Sequence, residues 1–404
     1  MTIFKASGPL DKTQKIISIS IGSVLVVTTA ISLPFIITEI LKTTAAITRP
    51  DEFVPPDVTE GFEAFGPRSK NWYQVDYDLD IGNNSRYAFR FIDGSTATIP
   101  ITAEIIRQQE TYAETLPYYN IDLTTEKGRY DYDMGLNRDI YEDFHYKTHT
   151  AYQHLIAADC LLHGNITHSH PNGNYWGPGT RMGRADLIFV TQPSDDELSY
   201  AHELGVTLDI RAVCNEAFVF IVSEDNPIES LTIQQIQDIY QGKVTNWSEV
   251  GGDDREIVPF QRNANSGSQT TMEKDVMKGK EMIEPTTTKG VYTEIQSMGG
   301  IIERIVDMAE EFKDEASSIG YTYNYYIKNI YSDRPVKVIN VEGIEANKDT
   351  VGDNSYPFVT SYYTVMRGEH PLDENYNADA VKLRDFLLTS LGQEYIELAG
   401  YYPL

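Results

Sequence analysis

From Tyr87 onward the chain alternates short apolar runs with amphipathic stretches of helical spacing, and the turns between them are rich in Gly, Ser and Thr. This alternation is the strongest constraint on the fold. A strand followed by a helix returns to the same edge of a sheet, so repetition implies an α/β architecture with mostly parallel strands. YAFRFI, ADLIFV, AFVFIV, EIVPFQR, IGYTYNYYI and VKVINV have strand composition. ITAEIIRQQETYAETL, PSDDELSYAHELG, SLTIQQIQDIYQG (opening on Ser230 or Thr232), GGIIERIVDMAEEFKD and the terminal DAVKLRDFLLTSLGQEYIELAG have helical spacing. DFHYKTHTAYQHLIAAD is a further strand, turn and helix unit. There is no internal repeat of fixed period. Residues 160–183, CLLHGNITHSHPNGNYWGPGTRMG, break the alternation and read as an inserted surface loop.

Strand-to-helix turns face the crevice where α/β proteins bind ligands. The most informative turn is RNANSGSQTTME, Arg262 to Glu273. EIVPF places Arg262 at a strand end, and Thr270 with Glu273 fits a capping box. The first amides of a helix lack internal acceptors, and its dipole adds about half a positive charge there. Gly267 permits close backbone approach, Ser266 and Ser268 add hydroxyls, and Arg262 offers a planar donor fork. Such a set suits an oxyanion. DGSTATIP, with Ser95, Thr96 and Thr98, and KTHTAYQ, with Thr148, His149 and Thr150, are two further hydroxyl-rich turns. Simple N-capping is the alternative for each.

Composition narrows the partners. The 404 residues carry 33 Lys and Arg against 60 Asp and Glu, a formal charge of −27. That excludes a nucleic-acid partner, which needs a basic surface. It also repels anions until salt screens the field beyond roughly 8–10 Å, so an anion site here must act at short range. Cys160 and Cys214 make no disulfide framework. Six of eight histidines lie between His145 and His170, without a recognisable metal-ligand spacing, so no metal and no cofactor is expected. No nucleophile elbow, zinc-protease helix or P-loop occurs, so no catalytic residue is assigned. Lys5, Lys12 and Lys15 precede an uncharged run, Ile16 to Thr38, long enough to cross about 30 Å of hydrocarbon. Residues 1–42 read as a membrane anchor or signal segment with the remainder outside. Residues 43–84 read as a tether and lead-in.

NPIESLTIQQIQDIYQGKVTNWSEVGG (226–252), followed by IVPFQRNANSGSQTTME, resembles the phosphate-binding components of ABC importers, and FLLTSLGQEYIELAGYYPL resembles their C-terminal end. The resemblance covers about residue 85 to 404. It implies a two-lobed type II periplasmic binding protein, a Venus flytrap, with residues 85–216 plus 336–404 as lobe one and 217–335 as lobe two. It implies that Arg262, Ser266, Gly267 and Ser268 bind the anion, joined by Ser95, Thr96 and Thr98 from Gly94–Pro100 and by Thr148 and His149. Family members that select phosphate place an aspartate where Thr191 stands here, so Thr191 is assigned to the site in its stead, with Asp93 or Glu216 as substitute acceptors. The implied protein is a non-enzymatic, membrane-tethered extracytoplasmic solute-binding protein. It captures inorganic phosphate or a related oxyanion for ABC permease subunits. A sensor of another small anion, a His-cluster metal protein and a membrane-anchored scaffold are the rivals.

Overall fold

One sixteen-residue strand, Leu208–Ser223, organises the sheet. The computed structural model describes residues 91–110, 145–157, 185–329, 331–368 and 378–404, with positions 115–116, 121–122, 125, 127–128 and 136 between the first two spans. All of these belong to one compact unit, Val54–Leu404. The first part of the long strand pairs antiparallel with Val359–Arg367, from Leu208 opposite Arg367 to Ala217 opposite Val359. Its last part pairs antiparallel with Ala316–Tyr323, Phe218 opposite Tyr323. On the other side that last part pairs with Val336–Val341. Beyond Val359–Arg367 lies Leu187–Val190, and parallel to that lies Ile92–Gly94. Beyond Ala316–Tyr323, and parallel to it, lies Glu256–Pro259. The result is an eight-stranded sheet in two halves joined through one strand.

The sheet is mixed, not mostly parallel. The neighbouring strands Ile92–Gly94 and Leu187–Val190 are parallel, as alternation predicts, and so are Glu256–Pro259 and Ala316–Tyr323. The strand that runs through both halves, Leu208–Ser223, and its neighbour Val359–Arg367 are antiparallel to each other. No local signal marks their direction. Val336–Val341 pairs with Phe220–Ser223 and so belongs with the second half of the sheet, whereas the sequence placed residue 336 at the return to the first lobe.

Two elements differ from their sequence assignment. Strand Ala316–Tyr323 stops at Tyr323, and Asn324–Asn329 is helical although its Tyr-Tyr-Ile composition suits a strand. The terminal helix is two helices, Ala378–Leu387 and Ser390–Leu398. Thr389 breaks it: its hydroxyl accepts from Gly392 N at 3.1 Å and caps the second helix. The capping residues are otherwise orthodox. Ser194 with Glu197 and Thr232 with Gln235 form reciprocal capping boxes.

The core is aromatic around the shared strand. Phe218 lies 5.4 Å from Tyr321 and 5.6 Å from Tyr323 between ring centroids, and Tyr323 lies 5.3 Å from Tyr362. Such pairs add about 0.5–1.5 kcal/mol each beyond burial. Cys214 is a free thiol within this core. Cys160, the loop 160–183 and the segment 1–84 lie outside the described residues. Among the described residues no helix is long and apolar enough to cross a membrane. Nor does any group of three or more His, Cys, Asp or Glu among them form a metal-holding cluster.

Glu216 sits at the midpoint of the shared strand and is fully buried. Its Oε1 accepts from the Ala217 amide at 2.7 Å and the Tyr325 amide at 3.4 Å, but Oε2 has no partner. Burial pushes its pKa from 4.5 up to about 8, against smaller opposing pulls from those amides and Lys328. Between these values the unfolded chain loses the proton that the folded chain keeps. Stability therefore falls as pH rises from about 4.5 to about 8, by at most roughly 1.4 kcal/mol per pH unit from this group. Glu216→Gln should gain stability over wild type at pH 8 and match it near pH 4, as read by denaturant unfolding at the two pH values.

Candidate functional site

Gly267 packs directly against the opposite half. A Cβ built there would lie 2.4 Å from Thr191 Oγ1 and 3.0 Å from Thr148 Oγ1. Only glycine fits. Thr191 ends the strand Leu187–Val190 in one half, and Thr148 opens the helix Thr148–Ile156 on that side. Gly267 opens the helix Gly267–Thr271 in the other half. That helix continues as a π-helical turn, Met272–Met277, a deviation often found at functional sites. Its N-cap is Ser266, whose Oγ accepts from Gln269 N at 3.3 Å. The capping box expected on Thr270 and Glu273 is therefore displaced: Thr270 lies inside the helix and Glu273 accepts from Gln269 Nε2 at 2.8 Å. The shift brings the amides of Gly267 and Ser268 to the helix start, where they have no intrahelical acceptor.

Arg262 is buried, 7% exposed, and held from several sides. Its Nε donates to Ile295 O at 2.9 Å, Nη2 to Gln296 O at 3.0 Å and Nη1 to Ser268 Oγ at 3.3 Å. Its backbone N–H is shared between Gln269 Oε1 at 3.1 Å and Tyr321 Oη at 3.0 Å, and the Tyr321 hydroxyl also donates to Gln269 Oε1. Neither Tyr321 nor Gln269 was legible as a site residue, because a tyrosine in a buried strand reads as packing. Tyr323 is similar. Its hydroxyl is 3.1 Å from Thr271 Oγ1, which also donates to Gly267 O at 3.0 Å. Thr191 Oγ1 is buried without a hydrogen-bond partner.

The first hydroxyl-rich turn is built differently. Thr98 Oγ1 donates to Ser95 O at 2.9 Å and Phe189 O at 2.8 Å, so its hydroxyl fastens the turn to the strand leading to Thr191. Ser95 N donates to Phe189 O at 2.9 Å, and Ser95 Oγ lies 3.3 Å from Thr98 Oγ1. Thr96 is half-buried at the start of the 3-10 turn Thr96–Thr98, whose first amides lack an internal acceptor. Gly94 lets His145 pack against this turn, since a Cβ there would lie 2.6 Å from the imidazole. Burial lowers the His145 pKa and keeps the ring neutral. Its Nδ1 donates to Ser95 O at 2.7 Å and its Nε2 accepts from Thr102 Oγ1 at 3.0 Å.

Both substitute acceptors are placed elsewhere. Asp93 Oδ1 accepts from Gly94 N at 2.6 Å and Tyr146 N at 2.9 Å, and Oδ2 pairs with His154 Nδ1 at 2.7 Å. It ties the first turn to the helix carrying Thr148. Glu216 lies in the shared strand, bonded to amides as described above. His149 turns to Glu197, Nδ1 to Oε1 at 3.0 Å. The structure thus gathers Thr148, Thr191, Arg262, Gly267 and Ser268 at one point, with Ser266 capping the same helix. Ser95, Thr96 and Thr98 abut this point through Phe189, and His149 faces aside.

Lys147 carries no site signal in the sequence, since a lone lysine before hydroxyl residues reads as solvated surface. It occupies φ 75°, ψ 160°, a region otherwise populated by glycine. Holding a lysine there costs on the order of 1–3 kcal/mol. Its pKa is lowered, first by burial and second by the Arg262 charge.

The halves also meet along an outer seam. Gln192 Nε2 donates to Asp275 Oδ2 at 3.0 Å, and Asn265 Nδ2 to Asp196 Oδ2 at 3.0 Å. Lys274 Nζ reaches Pro193 O and Asp195 Oδ1, both at 2.9 Å. These solvated contacts are individually weak, at about 0–1 kcal/mol for the ion pair.

Two sheet halves sharing crossing strands, with hydroxyls, helix-start amides and an arginine between them, define a two-lobed α/β binding protein. The PBP superfamily domain model PBP_like_2 matches residues 180–390, more than half of the chain, and the chain belongs to that superfamily. It is 25% identical over 250 residues to "Phosphate-binding protein PstS" of Borreliella burgdorferi, covering 61% of this chain and 85% of that one. It is 25% identical over 226 residues to "Phosphate-binding protein PstS" of Staphylococcus epidermidis, covering 54% of this chain and 64% of that one. An ABC-type phosphate transport receptor from Vibrio cholerae superposes with a TM-score of 0.44 at 18% identity, over 78% of this chain and 99% of that one.

Gly267→Ala should hold the halves apart. Its added methyl has no room beside Thr191 Oγ1. Small-angle scattering should report a larger radius of gyration, restored in part when Thr191→Ala is added; an unchanged radius would show that the approach does not depend on glycine.

Proposed function

We propose that this protein is an extracytoplasmic solute-binding protein that captures inorganic phosphate, or a closely related tetrahedral oxyanion, for an ABC importer. It binds and makes or breaks no bond. The observation that carries the proposal is the convergence of Gly267, Thr148 and Thr191 beside the buried Arg262 and Ser268. The names of the two curated relatives agree with it.

A captured oxyanion loses its hydration shell, a cost that only a dense set of donors offsets. Arg262 supplies charge and Ser268 a hydroxyl. The first amides after Ser266 supply N–H groups aided by the helix dipole. Thr148 and Thr191 supply hydroxyls from the facing half, and Ser95, Thr96 and Thr98 shape the adjoining turn. Contacts from both halves exist together only when the halves are closed, so ligand shifts the population toward closure. Permease subunits then receive the closed form.

The lobes are read as residues 85–216 plus 336–404, and 217–335, divided at the Glu216–Phe218 crossover. Within those bounds the strand Val336–Val341 is the exception, since it pairs with Phe220–Ser223 of the second half. Residues 1–42 are read as an anchor that keeps the domain at the outer membrane face. That assignment rests on the uncharged Ile16–Thr38 run behind three lysines.

Thr191 brings a neutral hydroxyl where an acceptor carboxylate would favour a protonated anion. Phosphate, arsenate and sulfate should therefore be less sharply separated than a carboxylate would allow. Arg262→Ala should weaken phosphate binding at least tenfold, equivalent to about 1.4 kcal/mol. Isothermal titration of the soluble domain with phosphate, sulfate and arsenate checks this, and unchanged phosphate affinity in the variant would reject the site.

A further inference from the structure

We propose that Lys147 is a second cationic ligand-binding residue of this site, and that with Arg262 it selects tetrahedral anions carrying two negative charges over singly charged ones. The proposal rests on the oxyanion-binding function above and deepens it.

Three observations point to Lys147. First, it adjoins Thr148, whose hydroxyl packs against Gly267 of the opposite half. Its side chain therefore starts within one residue of the candidate site. Second, its backbone is strained. At φ 75°, ψ 160° the Cβ is accommodated at a cost that glycine would avoid, and the other non-glycine residues with positive φ among the described residues, Asn265, Lys278, Lys289, Glu342 and Asn354, are not helix N-caps. Lys147 makes no side-chain cap bond there. Strain without a local hydrogen bond in return is characteristic of functional positions. Third, its charge is uncompensated. Among the described residues its ammonium has no carboxylate partner and no hydrogen bond, although acids outnumber bases 60 to 33. Its named charged neighbour is Arg262, a like charge from the opposite half of the sheet.

Two cations brought together across a closing gap repel each other. An anion between them reverses that sign, and a dianion does so more fully than a monoanion. Asp93 does not oppose the second charge, since two amides and His154 already engage it.

The test uses the soluble domain, with phosphate, sulfate and perchlorate as probes. Lys147→Gln should weaken phosphate and sulfate binding tenfold or more and change perchlorate binding less, while Lys147→Arg should retain phosphate affinity within about threefold. Lys147→Gly should raise the unfolding midpoint of the ligand-free domain, by relieving the backbone, and still lose phosphate affinity. If Lys147→Gln and Lys147→Gly bind phosphate as tightly as a wild type that does bind it, this inference fails and the proposed function stands. A wild type that binds none of the three anions overturns both.

Discussion

The close approach of Gly267 to the hydroxyls of Thr148 and Thr191 is the contact on which the candidate site depends. It requires three things at once. The residue at the helix start must lack a side chain, the two facing turns must end in small hydroxyl residues, and both halves of the sheet must be held in register. The last requirement is met by Leu208–Ser223, which runs through both halves. A single continuous strand transmits position between lobes while leaving the seam between them weak enough to open.

Behind this contact lies a layer of polar groups that fixes the donors. Arg262 is oriented by the carbonyls of Ile295 and Gln296, and its amide by Gln269 and Tyr321. Tyr321 and Tyr323 are fully buried aromatics whose hydroxyls emerge at the site. They join the hydrophobic core directly to the polar cleft. A guanidinium held this way keeps its geometry when the cleft opens, so little side-chain freedom remains to be lost on binding.

The electrostatics act on two scales. Over the whole surface the chain is strongly acidic, and salt weakens that field beyond a few water layers. At the site the buried Arg262 supplies a local positive charge, the exposed Lys147 lies within its electrostatic reach, and helix-start amides add partial positive charge. Short range and partial burial let the local set dominate where a ligand would sit.

Much of this was legible in local sequence. EIVPFQR followed by NANSGSQTTME fixed a strand, a turn and a helix, and the capping signals at Ser194 and Thr232 located two more helix starts. Cap position failed at Thr270 because Ser266 offered an earlier hydroxyl, and composition misled at Tyr325 and Tyr326 because aromatic residues suit buried helices as well as strands. The sequence by itself determined which turns carry donors, because hydroxyls, glycine and arginine before a helix leave few other uses for them. Only the tertiary structure decided which of those donors meet. It spent Thr98 on backbone carbonyls, Asp93 on His154 and His149 on Glu197, and it brought Lys147 within electrostatic reach of Arg262 from more than a hundred residues away. Those outcomes depend on strand order and on antiparallel crossings between distant segments, which no local run of residues encodes.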